Sequence, residues 1–576
     1  MNILDYFLNP LSKRQNQYEA IRAFVVEKLS ADEVAAKYGY KPSTIYTMLR
    51  DTRAGRLELF PIVKKGQKQR RTPNAYQKEI IGLRKQNYSI HDIHEKLSES
   101  DINVSAKTIE RILKENGFEK LPRRSDRERG VTRKNKLIPK RSENIDMDNL
   151  KPFNIDCPVA GIYFFLPYII ESGIIEIVQK CRLPESNIIG SVQACLSMLL
   201  LKLIGNQRLS QMEGYDHEQG FGVFAGLNVL PKSTYMSTYS CLTSEDMLDE
   251  LQNEIITRFI QQYPGFYTGN FINLDFHSIP HYGDQSQMEK VWCGARNKAM
   301  KGANTVFAQD SGSNLILYTR ADILRKEESN EVLKFVNYWK QIKGSVNETL
   351  VFDCKFTKYG ILNELDHDGI CFITLRKRSD SLIRHTLEIS EDKWEKHKLD
   401  IPKRKNKKVN VFEEKVKLKD CEKEFRQIII KDHGRINPTF IITNNNDLKL
   451  IEVLKVYAKR WHIENKIAEL VAFFNLNSLS SPLMIRIHFD ILWTLIADTL
   501  YHRFAQDLRR FEDNLAPTIF KKFINMPGRI KYDGDMITIR IRKRAHTPIL
   551  KGIDKLNGTF YVPWLNNVPM KIEWTS

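Results

Sequence analysis

The sequence predicts a multidomain protein in which all-α helix-turn-helix units precede a mixed α/β region. Two segments before residue 140 share one helix-turn-helix pattern. From residue 269 the pattern changes to short apolar strands that alternate with helices, and residues 377–440 add a further run of strands. A chain of 576 residues is also too long for a single core, so we expect several domains.

The charge of the chain favours a polyanionic partner. The net charge is +19 and the pI is near 9.3. Residues 1–150 hold 31 Lys and Arg against 20 Asp and Glu, so +11 of the surplus lies in about a quarter of the chain. Nucleic acid is the commonest polyanion that proteins bind, and the sequence therefore predicts a nucleic-acid partner.

Several sequence features favour a cytoplasmic protein without a membrane partner. The first residues, "MNILDYFLNP", lack the basic and apolar regions of a signal peptide. The longest uncharged apolar run, "VAGIYFFLPYII", has 12 residues with a proline inside it, which is too short to cross a bilayer. Eight cysteines occur without a CxxC pair, which fits reduced thiols and argues against a zinc site.

The helix-turn-helix pattern occurs twice. In "LSADEVAAKYGYKPSTIYTMLRD", Ser30 and Glu33 are a capping box, Gly39 provides the turn, and "KPSTIYTML" begins a second helix. In "YSIHDIHEKLSESDINVSAKTIERILKENGF", Ser89 caps the first helix and "SAKTIERIL" is the second.

In a DNA-binding helix-turn-helix, polar residues at the start of the second helix meet base edges and basic linkers contact phosphates. Helical hairpins are common and charge runs are usually solvated, but two hairpins in tandem with basic linkers favour DNA binding. The candidate contacts are Ser43, Thr44, Tyr46, Lys107, Thr108 and Arg111 in the second helices, and Lys64, Lys65, Arg70 and Arg71 in the linker.

Two aspartates lie in apolar strands, where an unpaired carboxylate is costly. They are Asp275 in "GNFINLDFHSI" and Asp353 in "NETLVFDCKF". With Glu464 from a later helix they are candidates to bind divalent cations, because Mg²⁺ prefers carboxylate oxygens. A pair of such ions roughly 3.5–4 Å apart can activate an attacking oxygen and stabilise a leaving oxygen at a phosphodiester.

The helix "YAKRWHIENKIAEL" raises the question of why charges share its inward face. Tyr457, Arg460, Trp461, Glu464 and Ala468 fall within roughly 100° of one another at helical spacing, and we expect this face to be buried. Glu464 is then either half of an ion pair or a ligand.

These segments resemble a known family. "YAKRWHIE" matches the Tyr-x2-Arg-x3-Glu signature of bacterial insertion-sequence DDE transposases, in the subgroup whose full signature is Tyr-Arg-Glu-Lys. "INLDFHSIP" and "LVFDCKFTKYGILNELDHDGICFITLRKR" resemble the two aspartate blocks of that family, and the resemblance covers roughly residues 150–560. It implies an RNase H-like catalytic core that cuts element ends and joins them to target DNA in the bacterial cytoplasm, at the nucleoid.

The resemblance implies roles for individual residues. Asp275, Asp353 and Glu464 would be the catalytic triad and would hold two Mg²⁺ or Mn²⁺ ions, and Tyr457 and Arg460 would contact the DNA backbone. The implied partners are the terminal inverted repeats of the element and target DNA, bound by a homodimer. The chain departs from the signature at the lysine seven residues after the glutamate, where it has Val471. Lys466 is not a substitute, because it points to the other side of the helix.

Residues 377–440 resemble the β-strand insertion that this subgroup carries. Lys403, Arg404, Lys405, Lys407 and Lys408 would contact phosphates. Trp394 is a candidate to stack on an unpaired base, although an aromatic residue on a sheet face is the commoner explanation.

The expected domains follow from these boundaries. They are 1–60 (helix-turn-helix), 61–72 (basic linker), 73–140 (second helix-turn-helix), 141–265 (helical), 266–376 with 441–510 (catalytic core), 377–440 (β-strand insertion) and 511–576 (C-terminal region). Two other functions stay open: a domesticated transposase that acts as a DNA-binding regulator, favoured by Val471, and a metal-dependent nuclease without strand transfer.

Overall fold

The structure is a computed structural model of the chain. It describes residues 12–60, 74–119, 121, 142–205, 215, 218–281, 288–293, 297–321, 323–398, 408–433, 437–478 and 483–576. The chain forms two compact units, Met1–Pro73 and Asn74–Ser576.

Three helices form a cluster in the described part of the first unit, residues 12–60. Its helices are α1 (Lys13–Val25), α2 (Ala31–Tyr38) and α3 (Pro42–Arg53). Ser30 and Glu33 form the expected capping box on α2. The helix ends at Gly39, whose φ of 72° is the left-handed conformation that glycine adopts without strain.

The second unit begins with three more helices packed on one apolar cluster. They are α4 (Asn74–Lys85), α5 (Ile90–Glu99) and α6 (Ala106–Glu115). Ile93 and Ile109 are fully buried in their core. Lys85 Nζ lies 3.3 Å from Glu245 Oε1 of a later helix, which ties these helices to the rest of the unit.

The described residues between 142 and 262 are mainly helical, with one strand, β1 (Phe153–Cys157). The helices are α7 (Leu166–Glu171), α8 (Ile174–Lys180), α9 (Ser191–Leu203), α10 (Gln219–Ala225), α11 (Ser233–Tyr239) and α12 (Glu245–Gln262). Short 3₁₀ turns lie at Met147–Asn149 and Ala160–Phe165.

The central sheet has ten strands in the part of the chain that the structure describes, and it carries the candidate site. Its strands are β2 (Phe271–Pro280), β3 (Lys290–Cys293), β4 (Lys298–Asp310), β5 (Ile316–Arg320), β6 (Thr349–Phe352), β7 (Phe372–Leu375), β8 (Glu395–Lys398), β9 (Lys408–Lys417), β10 (Glu424–Lys431) and β11 (Thr439–Thr443). The order is β3-β4-β2-β6-β7-β11-β10-β9-β8, and β5 pairs with β4. The inserted strands β8–β10 therefore extend the same sheet.

Helices connect these strands and follow them. They are α13 (Glu331–Lys343), α14 (Tyr359–His367), α15 (Asp380–Glu388), α16 (Leu450–Lys459), α17 (Trp461–Ala472) and α18 (Met484–Gln506). Short 3₁₀ turns lie at Arg325–Asn330, Glu391–Lys393 and Leu476–Ser478. Helix α18 is apolar around most of its circumference and almost wholly buried, as expected of a helix at the centre of a core.

A second sheet joins the C-terminal region to the start of the helical segment. Its strands are β12 (Gly528–Tyr532), β13 (Ile537–Arg542), β14 (Thr559–Val562) and β15 (Val568–Thr575), in the order β1-β12-β13-β15-β14. The helices here are α19 (Ala516–Ile519) and α20 (Thr547–Lys551), with a π-helical turn at Phe520–Ile524 and 3₁₀ turns at Asp554–Leu556 and Pro563–Leu565. The pairing of β1 with β12 connects residues that are more than 350 positions apart in sequence.

Within the described residues, no single helix has the length and apolar composition needed to cross a membrane, and one bent pair, Ala160–Glu171 with Ile174–Lys180, meets that test only when combined.

Candidate active site

Asp275 and Asp353 lie on neighbouring parallel strands at the same level. Asp275 is inside β2, and Asp353 directly follows β6. The two strands pair in parallel with Leu274 opposite Phe352, so the next residue of each strand is an aspartate. Asp275 lies in a strand as the sequence predicts, Asp353 is the first residue beyond its strand, and the register adds that the two are neighbours.

Arg460 connects Asp275 to Glu464. Helices α16 and α17 are interrupted at this residue, which caps the end of one and the start of the other. Its Nη1 donates to Asp275 Oδ2 at 3.0 Å and its Nη2 donates to Glu464 Oε1 at 2.8 Å. One cationic group therefore already lies between two of the three predicted acids.

Burial and neighbouring charges disfavour ionisation of Asp275. Burial raises the pKa of Asp275, Arg460 opposes this and Asp353 and Glu464 add to it, so that the pKa is about 6 in total. Asp275 Oδ1 accepts a hydrogen bond from the Phe276 amide at 2.9 Å. The three acids thus share one electrostatic environment, and a carboxylate with this pKa has much to gain from an added cation.

Asp353 stands apart from the Arg460 bridge. Its Oδ1 accepts a hydrogen bond from the Lys355 amide at 2.8 Å. In the part of the chain that the structure describes, no group of three His, Cys, Asp or Glu side chains is arranged to hold a metal ion. The donor set suits Mg²⁺ or Mn²⁺, but with these side-chain positions Arg460 bridges two of the acids.

The burial expected for one face of the signature helix holds only in part: Tyr457, Arg460 and Trp461 are half-buried, but the rest of the face is not. The Glu464 side chain is 56% exposed, and Ala468 is also exposed. Ile463, Ile467 and Leu470 are buried instead. Helix α17 turns its apolar stripe to the core, so the face that carries Glu464 opens towards Asp275 and solvent.

Tyr457 lies beside Arg460 and is partly buried. The Arg460 guanidinium lies 5.9 Å from the centre of the Tyr457 ring. Burial raises the pKa of Tyr457, and Arg460 opposes the shift. The phenol therefore stays protonated and is a hydrogen-bond donor next to the acids.

Lys466 and Val471 lie away from the bridge. Lys466 Nζ donates to Glu469 Oε2 at 2.9 Å and to Asp498 Oδ1 at 2.6 Å, in a buried ion triad on the other side of α17. Val471 is partly buried and packs against the main core. Lys466 lies on the side of α17 away from Glu464, as its spacing in the sequence predicts.

The burial of Trp394 favours the commoner of its two explanations over base stacking. The residue is only 8% exposed and packs with Ile429 and Phe440. The Lys431 ammonium lies 4.1 Å from the centre of its ring. An aromatic residue that packs on a sheet face, the alternative explanation, accounts for this position.

The candidate contacts in the two helix-turn-helix segments are near the starts of α3 and α6. Ser43, Tyr46, Lys107 and Arg111 are exposed, and Thr44 and Thr108 are partly exposed. The Thr108 hydroxyl lies 3.0 Å from that of Ser105, the residue that caps α6. Their contact with DNA stays a prediction.

Other predicted phosphate contacts fall outside the described residues. These are Lys64, Lys65, Arg70, Arg71, Lys403, Arg404, Lys405 and Lys407, whereas Lys408 is exposed at the start of β9.

The sequence argument did not select Lys355, which follows Asp353 by two positions. Its side chain is exposed, and its ammonium lies 5.7 Å from the centre of the Phe276 ring, next to Asp275 in the chain. A lysine two residues after a strand-end aspartate is the signal that could have identified it. It is a cation at the edge of the site that none of the three acids neutralises through a short ion pair.

Comparison with known proteins gives one family match and two structural similarities. A family model described as a transposase DDE domain matches residues 269–500, a span that contains all three acids. No curated protein matches the chain. Two solved structures are similar to it: the pre-cleavage Mos1 transpososome (9% identity, 62% of this chain and 77% of that chain, TM-score 0.12) and the Mos1 strand transfer complex (10% identity, 64% and 79%, TM-score 0.12). At such TM-scores neither similarity supports an argument about the fold.

Proposed function

We propose that this chain, whose residues 269–500 match a transposase DDE domain, is a DNA transposase that cuts the ends of an insertion sequence and joins them to target DNA. It would act as a homodimer on the terminal inverted repeats, in the bacterial cytoplasm. The observation that carries the proposal is the position of Asp275 and Asp353 on adjacent parallel strands, with Glu464 tied to Asp275 through Arg460.

The chemistry of the donor set supports an RNase H-like site that uses divalent cations. Asp275, Asp353 and Glu464 would hold two Mg²⁺ or Mn²⁺ ions, which would supply a polarised phosphodiester and an activated attacking oxygen. Arg460 must release at least one carboxylate for the triad to act as ligands. A DNA phosphate is an alternative partner for the guanidinium, with the same planar two-donor geometry.

The residues of the site would then act in one sequence. DNA binding brings a backbone phosphate to Tyr457 and Arg460, Arg460 leaves Asp275 and Glu464, and the freed carboxylates become available as ligands. Lys355 is placed to contact a terminal phosphate in the absence of the signature lysine. The Arg460 bridge thus couples the arrival of DNA to assembly of the acidic site.

Product analysis tests the proposal. The full-length protein is incubated with Mg²⁺, a target plasmid and a duplex taken from the DNA that flanks the open reading frame. We expect cleavage at the element end followed by joined products. Cleavage without joining would support a nuclease instead, and binding without cleavage would support a regulator.

Val471 favours the regulator as a second candidate function. Val471→Lys restores the signature, and the side chain would lie two turns beyond Glu464 on the same face. If another cation such as Lys355 already serves the terminal phosphate, the variant should cleave like the parent. A parent that binds ends but cleaves only after Val471→Lys would identify a weakened transposase, whereas inactivity of both proteins would favour the regulator.

A further inference from the structure

An exposed tryptophan lies at the distal end of the central sheet. Trp292 is in β3 with 59% of its surface exposed, although Val291 and Cys293 on either side are buried. Among the described residues it is the only tryptophan with such exposure, and because single exposed apolar residues are common, its meaning depends on the charges around it. The proposed chemistry does not use this residue.

The register places Trp292 on the same face of the sheet as Asp275. Asp275 lies opposite Phe307 of β4, and Trp292 lies opposite Ala299 of the same strand. Phe307 and Ala299 are eight residues apart, an even number, so their side chains point to one face. Directly opposed residues of antiparallel strands also share a face. At about 3.4 Å per residue, the position of Asp275 and the position of Trp292 are roughly 27 Å apart along β4.

Two lysines flank Trp292 on this face. Lys290 is two residues away in β3 and lies directly opposite Lys301 of β4. Like charges in directly opposed positions destabilise a strand pair unless an anion compensates them. Within the described residues, neither lysine has a carboxylate at ion-pair distance. The exposed Arg325 donates through Nη2 to the Lys290 carbonyl at 2.7 Å and adds a third cation, while the Glu289 carboxylate accepts from the Arg325 amide at 2.9 Å.

We propose that Lys290, Trp292 and Lys301 form a DNA-docking surface that holds the duplex about eight base pairs from the phosphodiester at Asp275. This deepens the proposed function and rests on it. A duplex that runs along β4 from the site advances about 3.4 Å per base pair, so 27 Å corresponds to about eight. The lysines contact phosphates, and the Trp292 ring packs against the groove between them. The positive charge favours DNA over a second copy of a chain with net charge +19.

Site-specific crosslinking tests the surface directly. A photo-crosslinking phenylalanine analogue replaces Trp292 in the full-length protein, which is irradiated with a duplex from the DNA that flanks the open reading frame. We expect a crosslink to DNA about eight base pairs from the cleaved position. A crosslink to another protein chain, or no crosslink, would overturn the proposal. Because the position is exposed, the substitution should leave the fold intact, and a thermal melt checks this.

A salt titration provides the second measurement. In Lys290→Ala/Lys301→Ala, the slope of log Kd against log salt should fall by roughly two, about one for each phosphate that the variant no longer neutralises. Lys298→Ala is the matched control, because Lys298 is an exposed lysine of the same strand on the opposite face. An equal change in the control would contradict the face assignment.

The outcomes separate this surface from the proposed function. If the protein crosslinks to DNA through position 292 but never cuts it with Mg²⁺, the docking surface is supported and the transposase function is contradicted. If the protein cuts the element ends but shows neither a crosslink nor a change in the salt slope, the transposase function is supported and the docking surface is contradicted.

Discussion

At the scale of single residues, Glu464 illustrates how structure changes an argument from sequence. If Glu464 were the buried half of an ion pair, its removal would cost roughly 3–5 kcal/mol of stability. The Glu464 side chain is 56% exposed, and Arg460, which is 15% exposed, still has Asp275 as a partner when the charge of Glu464 is removed. Exposed pairs contribute about 0–1 kcal/mol, and solvent screening applies.

We therefore expect Glu464→Gln to separate activity from stability. Cleavage should fall by orders of magnitude, because the variant lacks a carboxylate ligand, while the free energy of unfolding should change by less than about 1 kcal/mol. Cleavage assays and chemical denaturation of the one variant measure both. A variant that unfolds early but cuts normally would make Glu464 structural.

Asp275 predicts a pH dependence of the metal-free protein. Burial, with Asp353 and Glu464, raises its pKa from 3.8 to about 6 against the pull of Arg460. Between these values the folded state holds a proton that the unfolded state has released. Stability should therefore fall as the pH rises from about 4 to about 6, by up to about 3 kcal/mol, and level off above this range.

Asp275→Asn isolates this contribution, because asparagine cannot titrate. In chelator, the variant should equal the parent near pH 4 and be more stable above pH 6. Denaturant melts across the window measure the difference. A difference that stays constant with pH would show that Asp275 does not titrate as the structure indicates.

At the scale of elements, α17 has two charged sides with different roles. One side presents Glu464 to the site, and the other buries Lys466 against Glu469 and Asp498. Burial by itself lowers the pKa of Lys466, but Asp498 and Glu469 outweigh it and the pKa is raised. This triad links α17 to α18 and so holds Glu464 in its position at the site.

Lys466→Met should leave two buried carboxylates without their cation and cost roughly 3–5 kcal/mol. Lys459→Met, at the exposed end of α16, is the control and should change stability by less than about 0.5 kcal/mol. Thermal and chemical denaturation compare the two. Equal stability of both variants would show that the triad does not hold the helix.

Local sequence patterns predicted the strands and helices of this site better than they predicted which of these elements lie next to each other. The β-branched runs around Asp275 and Asp353 identified both strands, because burial in a sheet selects such residues. Nothing in those runs could show that β2 and β6 are parallel neighbours, since register depends on chain topology. The exposed side of α17 was misjudged because helical period gives relative angles, and neighbouring elements decide which angle is buried. For Trp394 the sequence left base stacking and sheet packing both open, and only its neighbours in space, Ile429 and Phe440, decide between them.

At the scale of the whole molecule, the pairing of strands that are far apart in the chain could not be predicted from the sequence. Strand β1 lies in a segment that reads as helical and completes a sheet with C-terminal strands. The inserted strands continue the central sheet, so the insertion and the catalytic strands share one scaffold. Sequence did predict that the first 140 residues contain helical units with basic linkers.

Those units predict DNA binding without chemistry. A fragment of residues 1–140 should prefer flanking inverted-repeat DNA to random DNA, and its affinity should fall steeply with salt as counterions are released. Gel-shift competition measures the preference. Equal binding to both DNAs would show that the helix-turn-helix segments do not recognise the element ends.

The most direct measurement of the central claim is Mg²⁺-dependent cleavage of element-end DNA by Asp353→Ala beside the parent protein. Asp353 belongs to the site through strand register and takes no part in the Arg460 bridge, so its removal leaves that bridge intact. The variant should bind the ends nearly as well as the parent and make no cut. Cleavage by Asp353→Ala at a rate comparable to the parent would contradict the assignment of the acidic site.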